Sequence, residues 1–195
     1  MKAWKSLVPT IALLGLAPLA HATAVTWTGN GHTYDIVTSA TDTTWDGARA
    51  LAAGMGGYLA TITSAEENVF VAALVNGQGT GNLERYWLGG YQTDPNSASE
   101  PAGSWAWVTG EVWSYTNWAV GEPNNGVGGT QHWLHYWPAP GQWDDMENRL
   151  GTMNSYVIEY AVPERGALAA VPEPGTLALL GLGLAGFAAS RRRKQ

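Results

Sequence analysis

The chain has 195 residues, of which 13% are charged, with 25 glycines, 11 tryptophans and no cysteine. Few charges and many aromatics exclude a disordered chain, and the lack of cysteine excludes disulfides. Between Thr23 and Ser190 only Arg49, Arg85, Arg149 and Arg165 stand against all 16 acids, a net charge of −12. That balance excludes a nucleic-acid partner, which needs clustered cations, and suits metal cations or neutral ligands.

In chain order, Lys2 and Lys5 form a positive start, followed by an apolar run over residues 7–19. Ala20-His21-Ala22 fits a small-x-small cleavage site, so residues 1–22 are expected to be a secretory signal peptide. Residues 34–38 alternate apolar and polar and predict a strand. Thr43 or Thr44 is placed to cap a helix starting at Trp45. Trp45, Ala48, Leu51 and Ala52 would form its buried stripe, and Gly54 would end it. "GGYLATI" predicts a short strand. Ser64 and Glu67 form a capping box before a helix expected to bury Val69, Phe70, Ala73 and Leu74, with Asn76-Gly77 as its stop.

The rest has no helical period. "RYWLGGYQ", "SWAWVT", "QHWLHYW" and "SYVIEYAV" predict strands, with a long Gly/Asn/Pro-rich loop over residues 117–129. A loop of that length in a compact domain is usually functional or disordered. The order predicts one α+β domain over residues 23–165, with neighbouring termini and with Trp87 and Leu88 buried on a central strand.

At the far end, "VPEPGT" precedes an apolar stretch over residues 177–189 and then Arg191-Arg192-Arg193-Lys194. As a helix that stretch spans about 20 Å, short of a hydrocarbon core of roughly 30 Å. The basic cluster would stay cytoplasmic, leaving the domain outside. This order resembles the PEP-CTERM sorting signal of Gram-negative bacteria, with residues 166–175 as linker and 176–195 as apolar segment and basic tail. The resemblance implies cleavage near Pro-Glu-Pro by a membrane-bound exosortase and only transient inner-membrane anchoring. It also implies a secreted or cell-surface location and an association with exopolysaccharide.

Five motifs in order resemble C-type lectin-like domains. They are "GGYLATITSAEEN" at 56–68, "YWLGG" at 86–90, "EPNN" at 122–125, "WDD" at 143–145 and "YVIEY" at 156–160. The resemblance implies that family's fold: two helices, antiparallel sheets and a long loop region. Three departures stand out. The family's two disulfides are missing, with Trp133 at one usual cysteine position. Asp144 replaces the asparagine of the family's "WND". Gln131 falls where the family has glutamate.

Glu122, Asn124, Asp144 and Asp145 offer only hard oxygen donors, which suit Ca²⁺ and not a soft metal. The resemblance implies a ligand set of Glu122, Asn124, Gln131, Asp144 and Asp145, three carboxylates and two amides, with a cis Glu122–Pro123 bond. It further implies binding of a vicinal hydroxyl pair of a mannose-, glucose- or fucose-like sugar. Glu122, Asn124, Gln131 and Asp144 would contact it, with a tryptophan stacking on its face: Trp133, or else Trp118 or Trp137. The same residues also make good turns by themselves. His132 and His135 lie three apart on a predicted strand and face opposite ways, so both cannot reach one ion.

The leading reading is a calcium-dependent carbohydrate-binding module, not an enzyme. A domain of the same fold with a protein-binding or matrix-structural role is the alternative. A glycosidase using Glu122 with Asp144 or Asp145 is disfavoured, because a shallow loop site provides little of the desolvation that tunes a catalytic acid. A periplasmic structural domain without ligand leaves the acidic cluster unexplained.

Overall fold

The computed structural model describes residues 20–21, 23–77, 85–151 and 153–162. The expected linker, the C-terminal apolar segment and basic tail, and the expected signal peptide apart from residues 20–21 lie outside these residues. The elements are β1 (Ala20–His21), β2 (Val25–Thr26), β3 (Thr33–Thr38), α1 (Trp45–Gly54), β4 (Tyr58–Leu59) and α2 (Ala65–Asn76). β5 (Tyr86–Gln92), β6 (Trp105–Trp107), β7 (Trp133–Tyr136), β8 (Trp143–Met146) and β9 (Ser155–Tyr160) follow.

The strands join one sheet in the order β1-β3-β9-β5-β7-β8, with β2 beside β3, β4 beside β9 and β6 beside β5. Pairing is antiparallel except between β5 and β9, where Tyr86 meets Ser155 and Trp87 meets Tyr156. β3 pairs with β9 from Thr33↔Tyr160 to Thr38↔Ser155, which brings the two ends of the domain together as expected. β1 pairs Ala20 with Thr38 and His21 with Val37, so the expected cut after Ala22 would remove this short strand.

Both faces of the central strands are covered, which explains their continuous apolar character. On one face Leu88 packs with Ile36, Val71, Leu134, Trp143 and Val157. On the other, Trp87 packs with Val37, Trp45, Ala48, Tyr156 and Ile158. Trp87 and Leu88 are fully buried, as the sequence predicts.

The helices form where expected but turn differently. Thr44 caps α1, its Oγ1 accepting from Gly47 N at 3.1 Å. Trp45, Ala48 and Ala52 are buried, but Leu51 is 39% exposed, because it stands about 100° around the helix from Ala52. In α2, Ser64 Oγ accepts from Glu67 N at 3.1 Å, half of the expected capping box. The other half is absent: Glu67 accepts instead from Thr63 N at 2.7 Å, from Thr63 Oγ1 at 2.9 Å and from the Tyr34 hydroxyl.

The expected apolar face of α2 is also corrected. Val69 and Ala73 are exposed and Phe70 and Leu74 half-buried, while Glu67, Asn68, Val71, Ala72 and Val75 are buried. Polar anchors set this rotation. Asn68 Oδ1 accepts from Tyr136 Oη at 3.0 Å and Trp143 Nε1 at 3.1 Å, and its Nδ2 donates to Gly141 O at 2.8 Å.

Tryptophan packing holds the long loop in this cysteine-free chain. Trp113 lies 4.4 Å from Trp107 and Trp118 lies 4.8 Å from Trp105, centroid to centroid, and both rings approach Trp143 at 5.8 Å. The loop backbone is zipped to β8, with Ala119 N donating to Trp143 O at 2.8 Å and Trp143 N donating to Asn117 O at 3.0 Å. Further along, Val120 and Val127 are fully exposed, so the loop projects from the sheet. The "WDD" segment is thus part of a strand and not a surface turn. Among the described residues no helix is long and apolar enough to cross a membrane.

Candidate metal and ligand site

The β7–β8 register sets His135 opposite Asp144 and Leu134 opposite Asp145, which fixes both acids on regular backbone. Asp145 is fully buried. Its Oδ1 accepts from Asn124 N at 2.9 Å and its Oδ2 from Asn125 N at 2.7 Å. These two bonds bind the "EPNN" segment to β8. The Glu122–Pro123 bond is cis, as the resemblance implies.

Glu122, Asp144 and Asp145 converge, each presenting a carboxylate oxygen within 4.8 Å of the others. Burial, and then the charge of Asp144, pushes the Glu122 carboxyl up to about 7. Burial also raises Asp145, against the lowering effect of the Asn124 and Asn125 amides. Two side-chain oxygens, Glu122 Oε2 and Gln131 Oε1, are buried without a hydrogen-bond partner. Buried acceptors are normally paired, and an unpaired one costs about 1–3 kcal/mol.

Glu122, Asn124, Gln131 and Asp144 line one pocket of about 360 Å³, with Trp137, Arg85 and Arg149 also on its walls. Gly126 makes room for Gln131: it has φ +55°, and a Cβ there would stand 2.6 Å from Gln131 Oε1. Asn124 Oδ1 accepts from Gly126 N at 2.6 Å, which leaves its second lone pair free. All five expected ligand residues therefore gather here, and they supply only oxygen donors, the chemistry of a hard cation.

Trp133 rests against the core beside Met146 and lines a neighbouring pocket of about 460 Å³, while Trp137, 36% exposed, lines the carboxylate pocket. The two histidines separate as expected. His132 Nδ1 bonds Gln92 Oε1 at 2.6 Å, while the buried His135 holds its Nδ1 2.8 Å from Tyr136 O and its Nε2 3.3 Å from Asp144 Oδ2.

Several participants escape a sequence reading. Asn125 is the hub of the loop: its Nδ2 donates to Glu100 Oε2 at 3.0 Å and its Oδ1 accepts from Gln131 N at 3.0 Å. Glu100 also accepts from Gln92 Nε2 at 2.8 Å. The one local hint is that Asn125 has φ +60°, a conformation asparagine tolerates. Arg85, Arg149, Glu100 and His135 carry no local signal of their place.

Residues 41–149 match the lectin C-type domain family model, and residues 170–193 match the PEP-CTERM protein-sorting motif, which implies export. Among curated proteins, the chain is 34% identical over 99 residues to a type-2 ice-structuring protein of Brachyopsis segaliensis, covering 51% of each. It is 32% identical over 104 residues to a perlucin-like protein of Mytilus galloprovincialis (52% of this chain, 61% of that protein). It is 33% identical over 90 residues to lectin BRA-3 of Megabalanus rosa (46% and 48%). The chain thus spans about half to three fifths of the length of these relatives.

Solved structures share the fold. The C-type carbohydrate-recognition domain of cow CD23, determined in the presence of a GlcNAc2Man3 oligosaccharide, has a TM-score of 0.54 at 22% identity, covering 68% of this chain and 89% of that one. A calcium-independent type II antifreeze protein has a TM-score of 0.51 at 24% identity (74% and 97%). A Ca²⁺-dependent type II antifreeze protein in its Ca²⁺-free form has a TM-score of 0.55 at 22% identity (71% and 97%). With that domain model matched over more than half of its length, the chain belongs to the C-type lectin domain family.

Proposed function

We propose that this exported domain binds carbohydrate through a Ca²⁺ ion held by Glu122, Asn124, Gln131, Asp144 and Asp145. The observation that carries the reading is electrostatic. Three carboxylates crowd within 4.8 Å, and Glu122 Oε2 and Gln131 Oε1 are buried without partners. A divalent cation would neutralise that repulsion and satisfy both oxygens. The set keeps three carboxylates and two amides although Gln131 and Asp144 have exchanged chemistry relative to the family pattern.

When bound, the ion would supply positions that accept lone pairs from a vicinal hydroxyl pair. The protein's own groups complete each hydroxyl: Glu122 and Asp144 accept its proton, and Asn124 and Gln131 donate amide N–H. Trp137 supplies an apolar wall beside them. The family consists of binding domains, and a half-open pocket is suited to binding and release.

A role without sugar is the second reading. It is favoured by the relatives, which include an ice-structuring protein. Thermal unfolding with Ca²⁺ and with EDTA tests the metal, and glycan binding competed by free mannose tests the ligand. A midpoint unmoved by EDTA would defeat the metal. Ca²⁺ stabilisation without any glycan binding would favour the second reading.

For export, we propose removal of residues 1–22 and exosortase cleavage near Pro172-Glu173-Pro174. Membrane association through the C-terminal segment would then be transient.

A further inference from the structure

Cations are scarce in this domain, and their placement is uneven. Arg49 lies over the Trp45 ring at 5.6 Å. Two of the remaining three arginines, Arg85 and Arg149, line the one pocket that holds the carboxylate cluster. Neither neutralises that cluster: among the described residues Arg85 makes no ion pair, and Arg149 pairs through Nε with Glu147 at 2.7 Å. The Arg149 side chain remains 55% exposed, which leaves its terminal N–H groups open to solvent.

Arg149 has a second property. It lines both the carboxylate pocket and the neighbouring pocket of about 460 Å³ that holds Trp133, Thr130, His132, Asn148 and its own partner Glu147. The two hollows therefore adjoin at Arg149. One side offers hydroxyl-binding carboxylates and amides, the other a half-buried indole with hydroxyl, amide and imidazole groups and the Arg149–Glu147 pair at its edge. An aromatic wall with a few polar groups is the usual lining of a sugar-sized pocket.

A guanidinium fork matches a carboxylate bidentately, and Arg is chosen over Lys where that planar match matters. The segment over residues 23–190 has a net charge of −12 and otherwise repels anions; with a divalent cation on the three carboxylates, Arg85 and Arg149 bring this pocket close to neutrality. We propose that the ligand is a carboxylate-bearing oligosaccharide, of the uronic-acid class, lying across both pockets with an acid group on Arg85 and Arg149. This rests on the saccharide reading above and names the class of sugar. Trp133 then serves the second sugar unit rather than the one on the cation.

The test compares a mannuronate tetramer with the same tetramer after reduction of its carboxylates to hydroxymethyl groups. Both are titrated calorimetrically into the protein at one fixed free Ca²⁺ concentration. The ring hydroxyls are shared, so the two differ only at C6, carboxylate against hydroxymethyl. The acidic tetramer should bind about tenfold more tightly, a difference of about 1.4 kcal/mol. Raising NaCl should shrink that ratio, because exposed ionic contacts are screened.

Arg149→Gln and Arg85→Gln should each shrink the ratio as well. Trp133→Ala should weaken tetramer binding more than binding of the monosaccharide. Equal affinities for the two tetramers would overturn the anionic ligand and leave the saccharide reading standing. A ratio unmoved in both arginine variants would overturn the assignment to this face. Binding of neither tetramer, with Ca²⁺ stabilisation intact, would remove the saccharide reading and this proposal with it.

Discussion

Replacing Asp145 by Asn changes one atom in the part of the site that does most to hold the loop. Asp145 is fully buried, and its two oxygens accept from the amides of Asn124 and Asn125 at 2.9 and 2.7 Å. A hydrogen bond to a charged group contributes about 1.5–3 kcal/mol net, and a neutral one about 1 kcal/mol. Asn keeps one acceptor and turns an NH₂ group toward the other amide, so one charged bond is lost and the second becomes neutral.

Removing a buried charge returns part of that loss, since burial already disfavours the ionised form. The metal-free variant should therefore be less stable by about 2 kcal/mol. At free Ca²⁺ of 100 times the dissociation constant, the wild-type protein gains about 2.7 kcal/mol more. The variant loses one of three carboxylates and should gain much less. The gap between the two proteins would widen to about 4–5 kcal/mol in Ca²⁺. Urea unfolding followed by tryptophan fluorescence, in EDTA and in Ca²⁺, measures both gaps. A variant as stable as wild type in EDTA would show that the two amide bonds do not hold the loop. Equal gaps in EDTA and Ca²⁺ would show that Asp145 does not serve the ion.

Glu122 gives a pH prediction. Its folded-state pKa of about 7 lies above the ordinary 4.5, so the folded chain holds that proton more tightly than the unfolded chain. In EDTA this contribution is complete below about pH 4.5 and is lost as pH rises through about 7, while Ca²⁺ should oppose the loss; melting curves at pH 5 and pH 8 read it. Gln131→Glu should tighten Ca²⁺ binding in calorimetry, since it adds a fourth carboxylate, and should lower metal-free stability for the same reason. Trp113→Ala removes a ring 4.4 Å from Trp107 and should cost about 2–4 kcal/mol in urea unfolding and weaken Ca²⁺ binding, because the loop is pinned by that cluster. Mass spectrometry of the exported protein should find Thr23 at the N-terminus and no Arg191–Arg193; a secreted form retaining the basic tail would refute the sorting cut.

The sequence by itself determined what depends on near neighbours. Alternation marked β3, apolar and aromatic runs without a helical period marked β5, β7 and β9, Thr43 or Thr44 and Ser64 marked the helix starts, and "EPNN" and "WDD" marked the two halves of the acidic site. Each is a matter of backbone preference, capping or donor chemistry within a few residues. The tertiary structure decided what depends on distant partners. Glu67 looked like a capping residue, but Tyr34 and Thr63 claimed its carboxylate and Tyr136 and Trp143 claimed Asn68, which turned α2 away from its most apolar face. The sequence left Trp133, Trp118 and Trp137 open as the ring beside a ligand; the β7–β8 register sets Trp133 against Met146, and Trp137 lines the carboxylate pocket. Asn125 reached Glu100 across 25 residues, and Arg85 and Arg149, 64 apart, line one pocket, because sheet order brings together what the chain separates. Periodicity reports which way a side chain points on its own element; it carries no record of what the opposing element offers to a buried carboxylate, an indole or a guanidinium.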